Sequence, residues 1–162
     1  MNIFITGNPG CGKSTLIKKL LEELSGEGVS GIITPEIRVN RERQGFKIID
    51  LASGTEEILA AANIERGPGV SRYRVNLPGI DLIMEKFLAS YKDSKYVVID
   101  EIGMMEFHSA KFRQVVEMVL NSNKVVVATL SKRLVREFQN KGEVLSLTRN
   151  NFDEIYLKIQ SR

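Results

Sequence analysis

A short apolar run, Asn2-Ile3-Phe4-Ile5-Thr6, leads directly into Gly7-Asn8-Pro9-Gly10-Cys11-Gly12-Lys13-Ser14. From Thr15 to Leu24, apolar residues then recur at Leu16, Ile17, Leu20, Leu21 and Leu24, a helical stripe. The chain must therefore open as strand, glycine loop, helix. That order, with the spacing G-x-x-x-x-G-K-[ST], is the phosphate-binding loop in its required setting. Its glycines let backbone N–H groups turn inward around phosphate oxygens, and the helix N-terminus adds the positive end of its dipole. Lys13 supplies a mobile charge for β- and γ-phosphates, and Ser14 offers a hydroxyl to Mg²⁺. The loop from Gly7 to Ser14, together with Thr15 at the helix start, is the expected nucleotide-binding set. Cys11 stands at a helix N-terminus, where a thiol pKa can fall; it reads either as a redox group or as a small residue in a variable loop position.

Beyond the loop, apolar runs alternate with helical stripes. Gly31-Ile32-Ile33-Thr34, Tyr96 to Ile99, Val125 to Thr129 and Val144 to Leu147 read as strands. Stripes at Ile80 to Tyr91, Phe112 to Leu120, Leu134 to Phe138 and Phe152 to Ile159 read as helices. This alternation predicts an α/β domain, a three-layer sandwich around a mostly parallel sheet. One segment breaks the pattern. About residues 36–51 run as an extended piece, a charged turn near Asn40 to Gly45, and a second extended piece, which predicts a β-hairpin inserted on the sheet. Glu57 to Ala62 fits either a strand or a short helix, and Tyr73-Arg74-Val75 fits a short strand.

With 162 residues and no linker or repeat, residues 1–162 are expected to form one domain. The net charge of +3 is dispersed, without the basic stripe or aromatic platform of a nucleic-acid binder, so nucleic acid is not an expected partner. No apolar run approaches a membrane span, and the first strand begins at Asn2 with no leader expected before it. One cysteine and one histidine leave no internal disulfide and no Cys/His zinc cluster, and the expected location is cytoplasmic. The residues assign no oligomeric state.

The second half of the expected site is Tyr96-Val97-Val98-Ile99-Asp100-Glu101, an apolar strand ending in two acids. This is a Walker B pattern. A carboxylate at a buried strand end is costly unless paired or near a metal, so Asp100 is the candidate for the Mg²⁺ shell opposite Ser14. Glu101 reads either as the group that orients the water attacking the γ-phosphorus or as a polar residue at a strand exit. Glu106, a few residues on, reads either as a support for Mg²⁺ or water or as a solvated loop acid, with the solvated reading favoured. Charge developing on the γ-phosphate calls for a cation beyond Lys13, with Arg38, Arg43, Arg133 and Arg149 as candidates. Arg149 follows the last strand and could stack on the base instead. Thr129 ends a central strand, where its hydroxyl could sense the γ-phosphate or simply suit a strand.

These motifs, in this order, resemble the THEP-type nucleoside-triphosphatases over most of the chain. Thr34-Pro35-Glu36-Ile37-Arg38 is similar to that family's T-P-E-[VI]-R segment. Arg43-x-Gly45-Phe46, Ile49-Asp50-Leu51 and Gly54 resemble its R-x-G-F…D-L…G stretch, and Arg72-Tyr73-x-Val75 its [KR]-Y-x-V element. Asp100-Glu101-Ile102-Gly103-Met104-Met105-Glu106 is close to its D-E-I-G-x-M-E signature. Met104 stands where the family often has Lys or Pro, so no basic role is carried to it. The family's asparagine-arginine pair near the C-terminus is reversed here as Arg149-Asn150. The resemblance implies a P-loop NTPase with a RecA-like core, in which an added strand separates the two Walker strands. It also implies Mg²⁺-dependent hydrolysis of nucleoside triphosphates with broad base tolerance. By position, Gly7 to Ser14 would bind triphosphate, Asp100 would assist Mg²⁺, and Glu101 would handle the water.

Other readings compete. A small-molecule or nucleotide kinase would share the loop and could use Arg41-Glu42-Arg43 as a lid, but the Asp100-Glu101 pair favours water as the acceptor. A guanine-reading switch is disfavoured because Asn140-Lys141-Gly142-Glu143 ends in Glu and precedes its strand. A motor or nucleic-acid ATPase lacks a further domain here.

Overall fold

The computed structural model describes residues 1–162. Its centre is a parallel sheet of five strands: β1 (Asn2–Thr6), β2 (Val29–Ile33), β8 (Tyr96–Ile102), β9 (Val125–Leu130) and β10 (Glu143–Ser146). β1 pairs in parallel with both β10 and β9, and β8 with both β9 and β2. β9 therefore lies between the loop-bearing β1 and the acid-bearing β8, the added strand that the resemblance implied.

The sheet continues beyond β2 as an antiparallel extension. β3 (Glu36–Val39) and β4 (Glu42–Asp50) form the expected hairpin, and β4 joins β2 with Ile32 opposite Asp50. β5 (Glu56–Ala61), β7 (Tyr73–Val75) and β6 (Gly69–Val70) then add to β4 in turn. The stretch from Glu57 that fitted strand or helix is thus a strand, and the insertion is larger than one hairpin. The pairing explains why: Phe46 and Ala60 are register partners, so β5 completes the ladder that β4 leaves open.

Period-two alternation distributes the core. Ile3 and Ile5 face α1 (Lys13–Glu23) and α5 (Phe152–Gln160), whereas Phe4 faces the other side. Val98 and Val127 follow Ile3, while Val97, Ile99, Val126 and Ala128 follow Phe4. The second layer is built by α2 (Leu77–Tyr91), α3 (Ala110–Leu120) and the single turn α4 (Val135–Phe138). Strands covered on both faces read as unbroken apolar runs, as these do. Ser109 ties the second layer together. Its hydroxyl accepts from Phe112 N at 3.0 Å, capping α3, and donates to Asp81 Oδ1 on α2 at 2.7 Å.

Candidate active site

The phosphate loop spans the gap between β1 and α1. Gly12 takes the N-cap position with φ of 107°, and no side chain caps the helix. A left-handed backbone suits glycine there, and the first-turn N–H groups stay free to meet an anion. Lys13 Nζ donates to Gly7 O at 2.9 Å and Asn8 O at 3.2 Å, so the ammonium is drawn back across the mouth of the loop. Cys11 is buried against the α1 side of the sheet, with its backbone N–H on Asn8 O, and serves as a small packing residue. Asn8 also accepts a hydrogen bond at Oδ1 from Lys132 Nζ, which enters from the segment after β9. Sequence reasoning missed Lys132 and named its neighbour Arg133, which is exposed in the turn 132–134. The signal was present in the cation pair directly after a strand adjacent to β1.

β8 carries the acids, and its register explains their placement. Ile99 pairs with Ala128 and Ile102 with Leu130, so three steps on β8 oppose two on β9. Regular alternation would send Asp100 and Glu101 to opposite faces of the sheet. The bulge re-aims them, and both line one cavity with Lys13 and Ser14. Asp100 is held twice: its Oδ1 accepts from Thr129 Oγ1 at 2.5 Å, and its carbonyl accepts from Thr34 Oγ1 at 2.8 Å. Thr129 is fully buried and outside the cavity lining; its hydroxyl is spent on Asp100. Burial, and then the charge of Asp100, push the Glu101 carboxyl above its ordinary pKa, with Lys13 pulling the other way.

Glu106 corrects the reading of a solvated loop acid. It is 3% exposed, and desolvation together with Glu101 raises its pKa to about 8. The short turn 106–108 folds it back under the strand end because Phe107 N and Ser109 N bond to Gly103 O and Glu106 O. Gly103 makes room for this. A Cβ there would lie 2.6 Å from Glu106 Oε2 and 2.7 Å from Glu101 Oε1, so the two carboxyl groups converge on space that only glycine leaves open.

The hairpin forms the facing wall. Glu36 accepts from Arg38 Nε at 2.7 Å and from Arg43 Nη1 at 3.1 Å. Burial opposes the charge, but the bonds from Arg43 and then Arg38 hold Glu36 below its ordinary pKa. Arg43 also donates to Tyr73 OH at 3.0 Å. Arg43 and Glu36 line the cavity; Arg38 does not, and turns instead to Arg41 O at the hairpin tip. Arg149 lies elsewhere, exposed in a turn closed by Thr148 N on Asn151 Oδ1 at 2.7 Å. That turn adjoins the loop through Phe152, whose ring would lie 3.5 Å from a Cβ placed at Gly12.

The cavity measures about 530 Å³. One end is polar, with the loop and the acids. The other, on the side of the antiparallel extension, sets Phe46, Leu59, Val70, Met104 and Met105 beside the Glu36–Arg43 pair, with the Arg43 guanidinium 5.3 Å from the Phe46 ring centroid. Ser14 and Asp100 offer oxygen donors only, a set that suits a hard cation completed by water and phosphate oxygens. No three His, Cys, Asp or Glu side chains form a protein-only metal cage.

A family model described as NTPase matches residues 2–160. The nucleoside-triphosphatase THEP1 of Methanocaldococcus jannaschii is 42% identical over 168 residues, spanning 100% of this chain and 96% of that protein. The nucleoside-triphosphatase THEP1 of Thermotoga maritima is 42% identical over 149 residues, 90% of this chain and 84% of that one. Among solved structures, the crystal structure of THEP1 from the hyperthermophile Aquifex aeolicus superposes with a TM-score of 0.84 at 36% identity, covering 99% and 98% of the two chains. The solution structure of a human cancer-related nucleoside triphosphatase gives 0.74 at 32% identity, covering 99% and 97%.

Proposed function

Since the chain belongs to this NTPase family and is a nucleoside-triphosphate hydrolase, we propose that it cleaves the γ-phosphate of Mg²⁺-bound nucleoside triphosphates with broad base tolerance. Glu101 orients the attacking water. The observation that carries this reading is the bulge in β8, which turns Glu101 into the same cavity as Lys13, Ser14 and Asp100. A carboxylate near the γ-phosphorus needs to be ionised and positioned to take a proton. Asp100 is braced by Thr129 and Thr34, so the acid beside Glu101 has a fixed orientation.

Within this reading, Gly7 to Thr15 receive the phosphates on backbone N–H groups and the α1 N-terminus. Lys13 moves from Gly7 O and Asn8 O to the β- and γ-phosphates. Ser14 and Asp100 hold Mg²⁺, which when bound neutralises phosphate charge. Lys132 supplies positive charge from the Asn8 side, and Arg43 from the hairpin side. Broad base tolerance is supported by the turn beside Gly12, where Thr148 N and Asn150 N bond within the turn and leave few donors to read a base edge. A continuous sheet under both cores supports reading residues 1–162 as one domain. No helix is long and apolar enough to cross a membrane, and the single free cysteine fits a cytoplasmic location.

The test is phosphate release from ATP, GTP, CTP and UTP with Mg²⁺, for wild type and Glu101→Gln. Comparable turnover of all four, with loss in the variant, is expected. Turnover of one base alone, or an undiminished rate in the variant, overturns the corresponding part.

A further inference from the structure

Hydrolysis uses one end of the cavity. The cavity of about 530 Å³ is lined at one end by the phosphate loop, where phosphates and a water are received, and its whole volume falls in the range that takes a small molecule. The remainder is walled by Phe46 from β4, Leu59 from β5, Val70 from β6, and Met104 and Met105 after β8. None of these has a part in activating water. Met104 is 36% exposed, a large apolar side chain left open on the cavity rim.

The position of this wall matters. A bound triphosphate directs its γ end toward the Walker B acids, here Asp100 and Glu101. Its base leaves from the other end, beside the turn 148–152, which takes no part in the cavity. The apolar wall therefore lies beyond the γ-phosphorus, on the side from which an in-line nucleophile arrives.

We propose that the outer half of the cavity binds a neutral, hydroxyl-bearing acceptor with a planar apolar body, of which a nucleoside is the fitting class, and that the γ-phosphoryl group passes to its hydroxyl in competition with water. The charge lining selects neutrality. Arg43 is matched by Glu36 at 3.1 Å, while Glu101, the proton acceptor, faces the cavity with no ion pair from the hairpin. A phosphorylated acceptor would meet the Glu101 carboxylate, whereas an uncharged one does not. Planarity suits Phe46, whose ring is fixed edge-on against Tyr73 at 5.5 Å between centroids.

In the transfer, the acceptor hydroxyl oxygen forms a bond to the γ-phosphorus. The bond from that phosphorus to the β–γ bridging oxygen breaks, and the nucleoside diphosphate leaves with the electron pair. The hydroxyl proton passes to the Glu101 carboxylate. This inference rests on the hydrolase reading, because both nucleophiles use the same γ-phosphate and the same Glu101.

The experiment supplies ATP labelled at the γ-phosphate, Mg²⁺ and millimolar uridine, cytidine, thymidine or deoxyguanosine to the full chain. Labelled nucleoside monophosphate and free phosphate are read from the same tube. Labelled product from at least one nucleoside is expected, with nucleoside 5′-monophosphates ~10-fold poorer acceptors. Met104→Glu, at an exposed position that tolerates substitution, should lower the ratio of labelled nucleoside to free phosphate by ~10-fold, and Phe46→Ala should lower it in the same direction. Phosphate released at its usual rate with every nucleoside unlabelled overturns the acceptor site and leaves hydrolysis standing. A preference for the monophosphates, or an unchanged ratio in both variants, also overturns it. Absence of phosphate release under all conditions breaks the hydrolase reading instead.

Discussion

The parallel centre and the antiparallel extension meet at the cavity but are built on different terms. β1, β8 and β9 are sealed on both faces, and the acid at the site is held by a buried partner: Thr129 is fully buried and bonded to Asp100. The extension carries its functional groups on the surface. Glu36, Arg38 and Arg43 form an exposed network, with Arg43 drawn also to Tyr73. Buried, over-determined groups hold their geometry before substrate arrives, which is what a phosphate cradle and a water-orienting acid need. Exposed ion pairs contribute little stability and rearrange cheaply, which suits a wall that must adapt to what enters. The comparison predicts large losses of rate from the parallel centre and smaller ones from the extension.

The largest effect belongs to Lys13→Ala. Removing the loop's own cation should lower turnover by ~10³-fold or more and weaken triphosphate binding together with it. Phosphate release and calorimetric titration with a non-hydrolysable triphosphate check both. Next stands Glu101→Gln, expected to slow hydrolysis by ~10²-fold while binding is retained. If Glu101→Gln instead lost affinity with its rate intact, the bulge in β8 would serve the cradle and not the water.

Smaller effects separate the two sides directly. Lys132→Ala removes the ammonium on Asn8 and should raise KM by ~10-fold with kcat nearly preserved, since in the proposed role that charge attracts the phosphates in ground and transition states alike. Arg43→Ala should lower kcat by several-fold, and Arg38→Ala, outside the cavity, should change neither parameter by more than ~2-fold. An Arg38 effect equal to that of Arg43 would mean that the hairpin acts as one rigid unit, and the contrast between centre and extension would fail.

Legibility in the sequence follows the same division. The loop, the apolar run of β1 before it and the Asp100-Glu101 pair were all readable because each rests on local spacing. The antiparallel extension was under-read. β5 is short, and its strand state comes from register with β4 on one side and β7 on the other, a long-range property that a six-residue run does not encode. The added strand between β1 and β8 came through resemblance, not from periodicity. In the site, Glu106 was misplaced because burial of an acid is decided by Gly103, three residues away, and by a short turn that no hydrophobic pattern marks. Lys132 escaped because a surface lysine acquires its role only when β9 is laid beside β1.

Glu106 offers the smallest effect on rate and the sharpest test of the buried side. With its pKa raised to about 8 from 4.5, Glu106 holds its proton at neutral pH, so Glu106→Gln replaces a neutral acid by a neutral amide of similar shape. At pH 7 the hydrolysis rate should change by less than ~3-fold. Stability tells the two proteins apart. The folded wild type binds this proton more tightly than the unfolded chain, so between about 4.5 and about 8 the folded state carries the larger number of protons. Stability of the wild type therefore falls as pH rises through that window, by at most ~1.4 kcal/mol per pH unit for one group. The glutamine variant lacks this loss. Denaturant midpoints measured without nucleotide from pH 5 to 9 should show its advantage over wild type growing with pH and levelling above about 8. A constant offset across the range would mean that Glu106 titrates as an ordinary surface acid, and that the tight packing assigned to the parallel centre stops short of the turn below β8.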